Sequence, residues 1–180
     1  MTSTLQKIFV YFAELLTYPT PRLQNQARTC LTLLAVDFPE AAQSMQAFQE
    51  RAQTIPTGRM EEIYTGTFDV NPTCFIYAGY ILFGESFKRG KFMVRLQEEY
   101  RTYGFDRGDE LPDHMAVLMR FLSTVDVHDP FAQSLIGDCL LLVLEKMIAG
   151  FNIDGDNPYL PLLMAISGVL EKISQPEPVM

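Results

Sequence analysis

The chain has 180 residues, 48% of them hydrophobic and 20% charged, which fits one compact domain and excludes disorder for its body, because apolar residues recur from end to end. Its 14 basic and 22 acidic residues leave a net charge of −8. Nucleic acid and anionic membrane surfaces reward clustered Lys and Arg, so neither is expected as the main partner.

The dominant period along the chain is helical. Leu5, Ile8, Phe9, Phe12, Leu15 and Leu16 follow the i, i+3, i+4, i+7 spacing of one buried face. Thr2-Ser3-Thr4 can cap that helix, and Pro19 with Pro21 ends it. A second helix is expected from Pro21, burying Leu23, Ala27, Cys30, Leu31 and Leu34, and a third from Pro39 through Ala42, Met45, Phe48 and Ala52. RMEEIYTGTFD then places Met60, Tyr64 and Phe68 on one side of a short helix that Asn71-Pro72 breaks. CFIYAGYILFG is apolar on nearly every side, which predicts a central buried helix. After it, ESFKRGKFMVRLQEEYRTYG returns charge to an outer face, and a polar loop from Gly104 to Glu110 leads to a helix starting near Pro112. Two last helices follow Asp129-Pro130 and Asn157-Pro158, each an N-cap with proline next. No segment alternates apolar and polar residues as a half-buried strand would. The expected fold is all-α: a single-domain bundle of about eight or nine helices over 1–174, with a frayed tail at 175–180.

Several functions find no support in the residues. The three cysteines, Cys30, Cys74 and Cys139, stand apart, as buried thiols in a reducing cytoplasm would. The N-terminus lacks a signal-peptide cleavage site, and the longest uncharged run, 70–84, is too short to span a bilayer, so a cytoplasmic location is expected. There is no glycine-rich phosphate loop and no nucleophile elbow. His114 and His128 lie among Asp113, Asp126 and Asp129, and a metal-dependent helical-bundle hydrolase using them is the alternative function, although no metal-binding motif is present. Without a catalytic motif, no enzyme activity, metal or cofactor is expected.

Two segments place polar and aromatic residues where a plain bundle does not need them. In Tyr64-Thr-Gly-Thr-Phe68-Asp69, the two aromatics pair at i, i+4 with Asp69 at the helix end; ordinary core packing also accounts for them. In Glu110-Leu-Pro112-Asp113-His114, proline at the first helical position puts Asp113 and His114 in the first turn. A carboxylate there complements the helix dipole, whereas a protonated imidazole opposes it. The segment is either a helix-start signal or an acidic rim beside an apolar groove, suited to a peptide with arginines ahead of a hydrophobic stretch.

ELPDH at 110–114 resembles the E-x-P-D-H signature of the TorD/DmsD/NarJ family of molybdoenzyme-specific chaperones. YTGTF at 64–68 is similar to that family's aromatic-x-x-Leu-Phe signature, with Thr67 where the signature has leucine. TFD followed by Gly84-Glu85-Ser86-x-x-Arg89-Gly90 resembles the NarJ branch, the nitrate reductase delta subunits. The resemblance implies a cytoplasmic assembly factor. It would bind the catalytic subunit of a molybdenum-cofactor oxidoreductase, such as a nitrate reductase, through an N-terminal twin-arginine-type segment, and support cofactor insertion before membrane attachment or export. It further implies a client-peptide site drawn from Tyr64, Phe68 and Asp69, from Tyr80, Glu85 and Arg89, and from Glu110, Pro112, Asp113 and His114.

Three expectations concern behaviour. Glu85 and Arg89 at i, i+4 could form a surface ion pair. Alanine at Asp113 or His114 should barely change stability while weakening client binding. The glycine-containing 104–110 loop could act as a hinge, giving mostly monomer with a minor domain-swapped dimer.

Overall fold

The computed structural model describes residues 3–174. Within them lie α1 (Thr4–Leu15), α2 (Leu23–Asp37), α3 (Pro39–Gln53), α4 (Thr57–Phe68) and α5 (Ala78–Phe83). They are followed by α6 (Phe87–Thr102), α7 (Met115–Leu122), α8 (Pro130–Ser134), α9 (Leu141–Ala149) and α10 (Tyr159–Ser174). A π-helical stretch, Leu135–Leu140, joins α8 to α9 as one unbroken rod. The fold is all-α: no strand occurs among the described residues, and the one β-bridge joins Tyr77 to His114. The tail at 175–180 lies outside the described residues.

Local chemistry fixes the helix starts. The Ser3 hydroxyl accepts from the Gln6 N–H at 3.1 Å, and the Gln6 side chain accepts from the Ser3 N–H at 2.8 Å, a reciprocal capping box. Pro39 opens α3, where its missing N–H costs nothing. Asp129 caps α8 by accepting from the Phe131 and Ala132 N–H groups, and the Asn157 side-chain Oδ1 accepts from Tyr159 N–H at the start of α10.

α3 packs between α2 and α10, α1 lies across α2 and α7, and α10 continues the core onto α9. The fully enclosed helix is α7, in which every residue except Arg120 is buried. With each large apolar side chain contributing about 1.5–3 kcal/mol on full burial, this short helix is a main tie of the bundle.

The 74–84 segment corrects an expectation. Cys74 to Tyr77 are not helical, with bends at Cys74 and Ile76 and an extended Tyr77, only Ala78–Phe83 is helical, and Phe75 and Phe83 are exposed at the surface. The apolar run serves two jobs: its first part pairs by backbone with the 113–115 segment, and its second part packs on α6 and α9. No helix of the described residues is long and apolar enough to cross a membrane.

Candidate functional site

The 110–114 segment is held by its backbone from three sides. The Tyr100 hydroxyl donates to the Pro112 carbonyl at 2.8 Å. Ala78 N–H donates to the Asp113 carbonyl at 2.8 Å, and Met115 N–H to the Ile76 carbonyl at 2.9 Å. The helix therefore begins at Met115 with His114 as its N-cap, three residues later than Pro112 would place it. Pro112 and Asp113 form the turn leading in, because their carbonyls are already committed outside the helix.

Asp113 is completely buried, and its carboxylate accepts from Arg89 Nε at 2.9 Å and Nη2 at 3.4 Å. The Arg89 guanidinium also lies 5.5 Å from the Tyr77 ring centroid and 5.6 Å from that of Tyr80. Gly79 makes the approach possible: a Cβ there would come within 2.7 Å of Asp113 Oδ2 and 3.0 Å of Phe92. Asp113 thus has no free face for a ligand. Glu85 is exposed and precedes α6, so the surface pair with Arg89 does not form; Arg89 spends its charge inward.

His114 is also buried, and its Nδ1 accepts from the Ala116 N–H at 3.0 Å. Burial lowers its pKa below the ordinary histidine value, with Arg120 adding to the effect while Glu110 and Asp113 oppose it. A neutral ring is what the cap requires, since a protonated Nδ1 could not accept. The dipole conflict expected for a cationic histidine at this end does not arise.

Across from His114 stands Tyr64. Its hydroxyl donates to the Leu16 carbonyl at 3.0 Å, tying α4 to the end of α1. Burial raises its pKa, with Tyr77, Glu110 and Asp69 adding, so the phenol stays protonated. Phe68 packs behind it at 5.1 Å between centroids, and Tyr159 of α10 closes the cluster. Thr67 is buried and satisfied: it donates to the Ile63 carbonyl and accepts from Asn157 Nδ2 at 2.8 Å, binding α4 to the start of α10.

Between these elements lies an open groove of about 360 Å³. Tyr64, Glu110 and His114 line it, bringing the two motifs together at one place. Ala116 and Val117 of α7 and Tyr18 after α1 supply apolar surface. Glu14 and Glu110 provide carboxylates, with Arg120 as the groove's cation. The geometry suits an extended apolar chain with positive charge near the two glutamates.

The other site candidates fall outside this groove. Phe68 and Pro112 are buried behind it, Asp69 is exposed at the end of α4, and Tyr80 with Arg89 braces Asp113. Glu85 lies away from all of these contacts. Sequence reasoning missed Glu14, Thr17 and Tyr18 as lining residues. Glu14 carried a signal, as the one acid interrupting the apolar N-terminal helix; Thr17 and Tyr18 carried none. His128 is exposed, and no group of three or more His, Cys, Asp or Glu side chains among the described residues is placed to hold a metal ion. The three thiols are buried, and burial pushes those of Cys74 and Cys139 up to about 12.

No curated protein matches this sequence. Among solved structures, a proposed redox enzyme maturation protein from Archaeoglobus fulgidus is similar over 92% of this chain and 93% of its own, with a TM-score of 0.64 and 22% identity. That likeness establishes the shared helical fold. The family model described as nitrate reductase delta subunit matches residues 32–135, a span that holds Tyr64 and Phe68, the Arg89–Asp113 pair and the capped loop. With more than half of its length matched, the chain belongs to the nitrate reductase delta subunit family.

Proposed function

We propose that this protein is a cytoplasmic maturation chaperone for the catalytic subunit of a molybdenum-cofactor oxidoreductase of the nitrate reductase kind. It holds the subunit's N-terminal segment, basic and then apolar, until the cofactor is inserted and the enzyme moves to the membrane or is exported. The supporting observation is the groove in which Tyr64, Glu110 and His114 meet. Family membership supports the class of client, and the net charge of −8 favours a basic segment over an acidic one. The protein acts by binding and release, with no reaction of its own.

In this arrangement Glu110 and Glu14 receive the client's guanidinium groups, and the surface of Tyr18, Tyr64, Ala116 and Val117 receives the apolar stretch. Asp113 and Arg89 work from behind, fixing the loop that presents Glu110. Calorimetry with a synthetic twin-arginine N-terminal peptide of the catalytic subunit should show binding that weakens with salt. Glu110→Gln should remove about 1.5–3 kcal/mol of it, a charge-assisted hydrogen bond, without changing the melting temperature. Equal affinity for a scrambled peptide of the same composition would defeat the reading.

A further inference from the structure

The 110–112 loop is a ridge between two grooves. Glu110 faces the groove described above, whereas Leu111 and Pro112 wall a second one of about 530 Å³ against α6. Leu111 is 42% exposed, an apolar residue presented outward by a loop otherwise fixed from within. On the opposite wall Val94 is 59% exposed and Gly90 leaves the floor open, while Phe87, 80% exposed, stands two turns earlier on the same helix. Phe87, Lys91, Val94, Glu98 and Arg101 recur at helical spacing along one side of α6, and Glu98 and Arg101 both line the groove.

Charge on this helix opposes that of the chain. Its 16 residues hold five of the 14 basic side chains and only two of the 22 acidic ones. Arg89 is used on Asp113 and Arg95 pairs with Glu99 at 2.6 Å. Lys88, Lys91 and Arg101 remain at the surface with no carboxylate partner among the described residues, and Lys91 lies over the Phe87 ring. The exposed face of α6 thus sets three unpaired cations against one unpaired carboxylate, Glu98, a local excess of positive charge on a protein of charge −8.

We infer that the exposed face of α6, with the groove it forms against Leu111, is a second docking surface, taking an acidic amphipathic helix of a partner protein whose apolar side meets Phe87, Val94 and Leu111. Its charge preference is the reverse of that of the Glu14–Glu110 groove. One partner carrying a basic segment and an acidic helix could therefore sit in both grooves with a fixed polarity.

The test uses the full chain, labelled with 15N, and a synthetic helical peptide with leucines on one face and glutamates on the other. Binding should shift amide signals along α6 and at Leu111, leaving those around Tyr64 and His114 in place. Lys91→Glu combined with Arg101→Glu should lower the affinity about five- to tenfold, as two exposed charge contacts would, with melting unchanged. Val94→Ser should weaken binding further, and Glu110→Gln should leave it unaltered. A leucine–lysine peptide binding equally well would overturn the inference. So would shifts confined to the first groove, or anionic phospholipid vesicles binding α6 while the acidic peptide does not. None of these outcomes bears on twin-arginine peptide binding at Glu110.

Discussion

The Asp113 carboxylate has no solvent exposure and relies on the Arg89 guanidinium for its counter-charge, so removing Arg89 strands a charge in the interior. Arg89→Met should cost about 3–5 kcal/mol of stability in chemical denaturation, and adding Asp113→Ala should recover part of it by deleting the orphaned charge. Arg89→Met melting with wild type would contradict the pairing. This replaces the expectation that alanine at Asp113 is nearly neutral, which rested on an exposed first turn. His114 behaves differently, because its role depends on being neutral. Its folded pKa lies below the unfolded value of about 6.5, so above that pH it adds no pH dependence. As pH falls from about 6.5 towards the folded value, the unfolded chain takes up a proton that the native cap refuses. Stability should then fall by up to about 1.4 kcal/mol per pH unit. Asparagine caps equally well without titrating, so His114→Asn should flatten the slope below about pH 6.5. An unchanged slope in that variant would place the acid sensitivity elsewhere.

Among the elements, the helices with clean periodicity were legible from residues alone. Leu23, Ala27, Cys30 and Leu34 of α2 and Ala42, Met45, Phe48 and Ala52 of α3 are buried as their spacing requires. Start signals based on Asp129-Pro130 and Asn157-Pro158 held because the cap bonds are local. The reading failed where long-range backbone contacts overrode local pattern. CFIYAGYILFG has the composition of a buried helix, yet its first residues donate and accept backbone hydrogen bonds with the 113–115 segment, far along the chain. Pro112 has the look of a helix start, but the Tyr100 hydroxyl and the Ala78 N–H claim the carbonyls of Pro112 and Asp113. The candidate site was legible in half. Tyr64, Glu110 and His114 meet in the groove, whereas the burial of Asp113 and its pairing with Arg89, 24 positions away, needed the fold to be seen.

At the scale of the whole molecule, the acidic chain separates its charge so that the groove bearing Glu14 and Glu110 and the cation-rich exposed face of α6 flank a single loop. That loop follows a segment with left-handed Gly104 and Gly108, the stretch expected to act as a hinge. Arg107 pins it, donating to Gln97 at 3.1 Å and to the Gly108 and Glu110 carbonyls, while Arg120 donates to the Arg107 carbonyl. Exchange of halves between two copies would have to break these bonds first. The groove's position therefore depends on the same contacts that keep the chain closed. The central claim is that this groove holds the N-terminal segment of a molybdoenzyme catalytic subunit. It is tested most directly by site-specific photo-crosslinking in cells that make both proteins. A photoreactive residue at exposed Thr17, on the groove wall, is compared with one at Val36, 86% exposed on α2. The account predicts crosslinks from position 17 to the first residues of the catalytic subunit before cofactor insertion, lost on Glu110→Gln, and none from position 36. Crosslinks to that segment from position 36 alone, or none from position 17 while the two proteins co-purify, would contradict it.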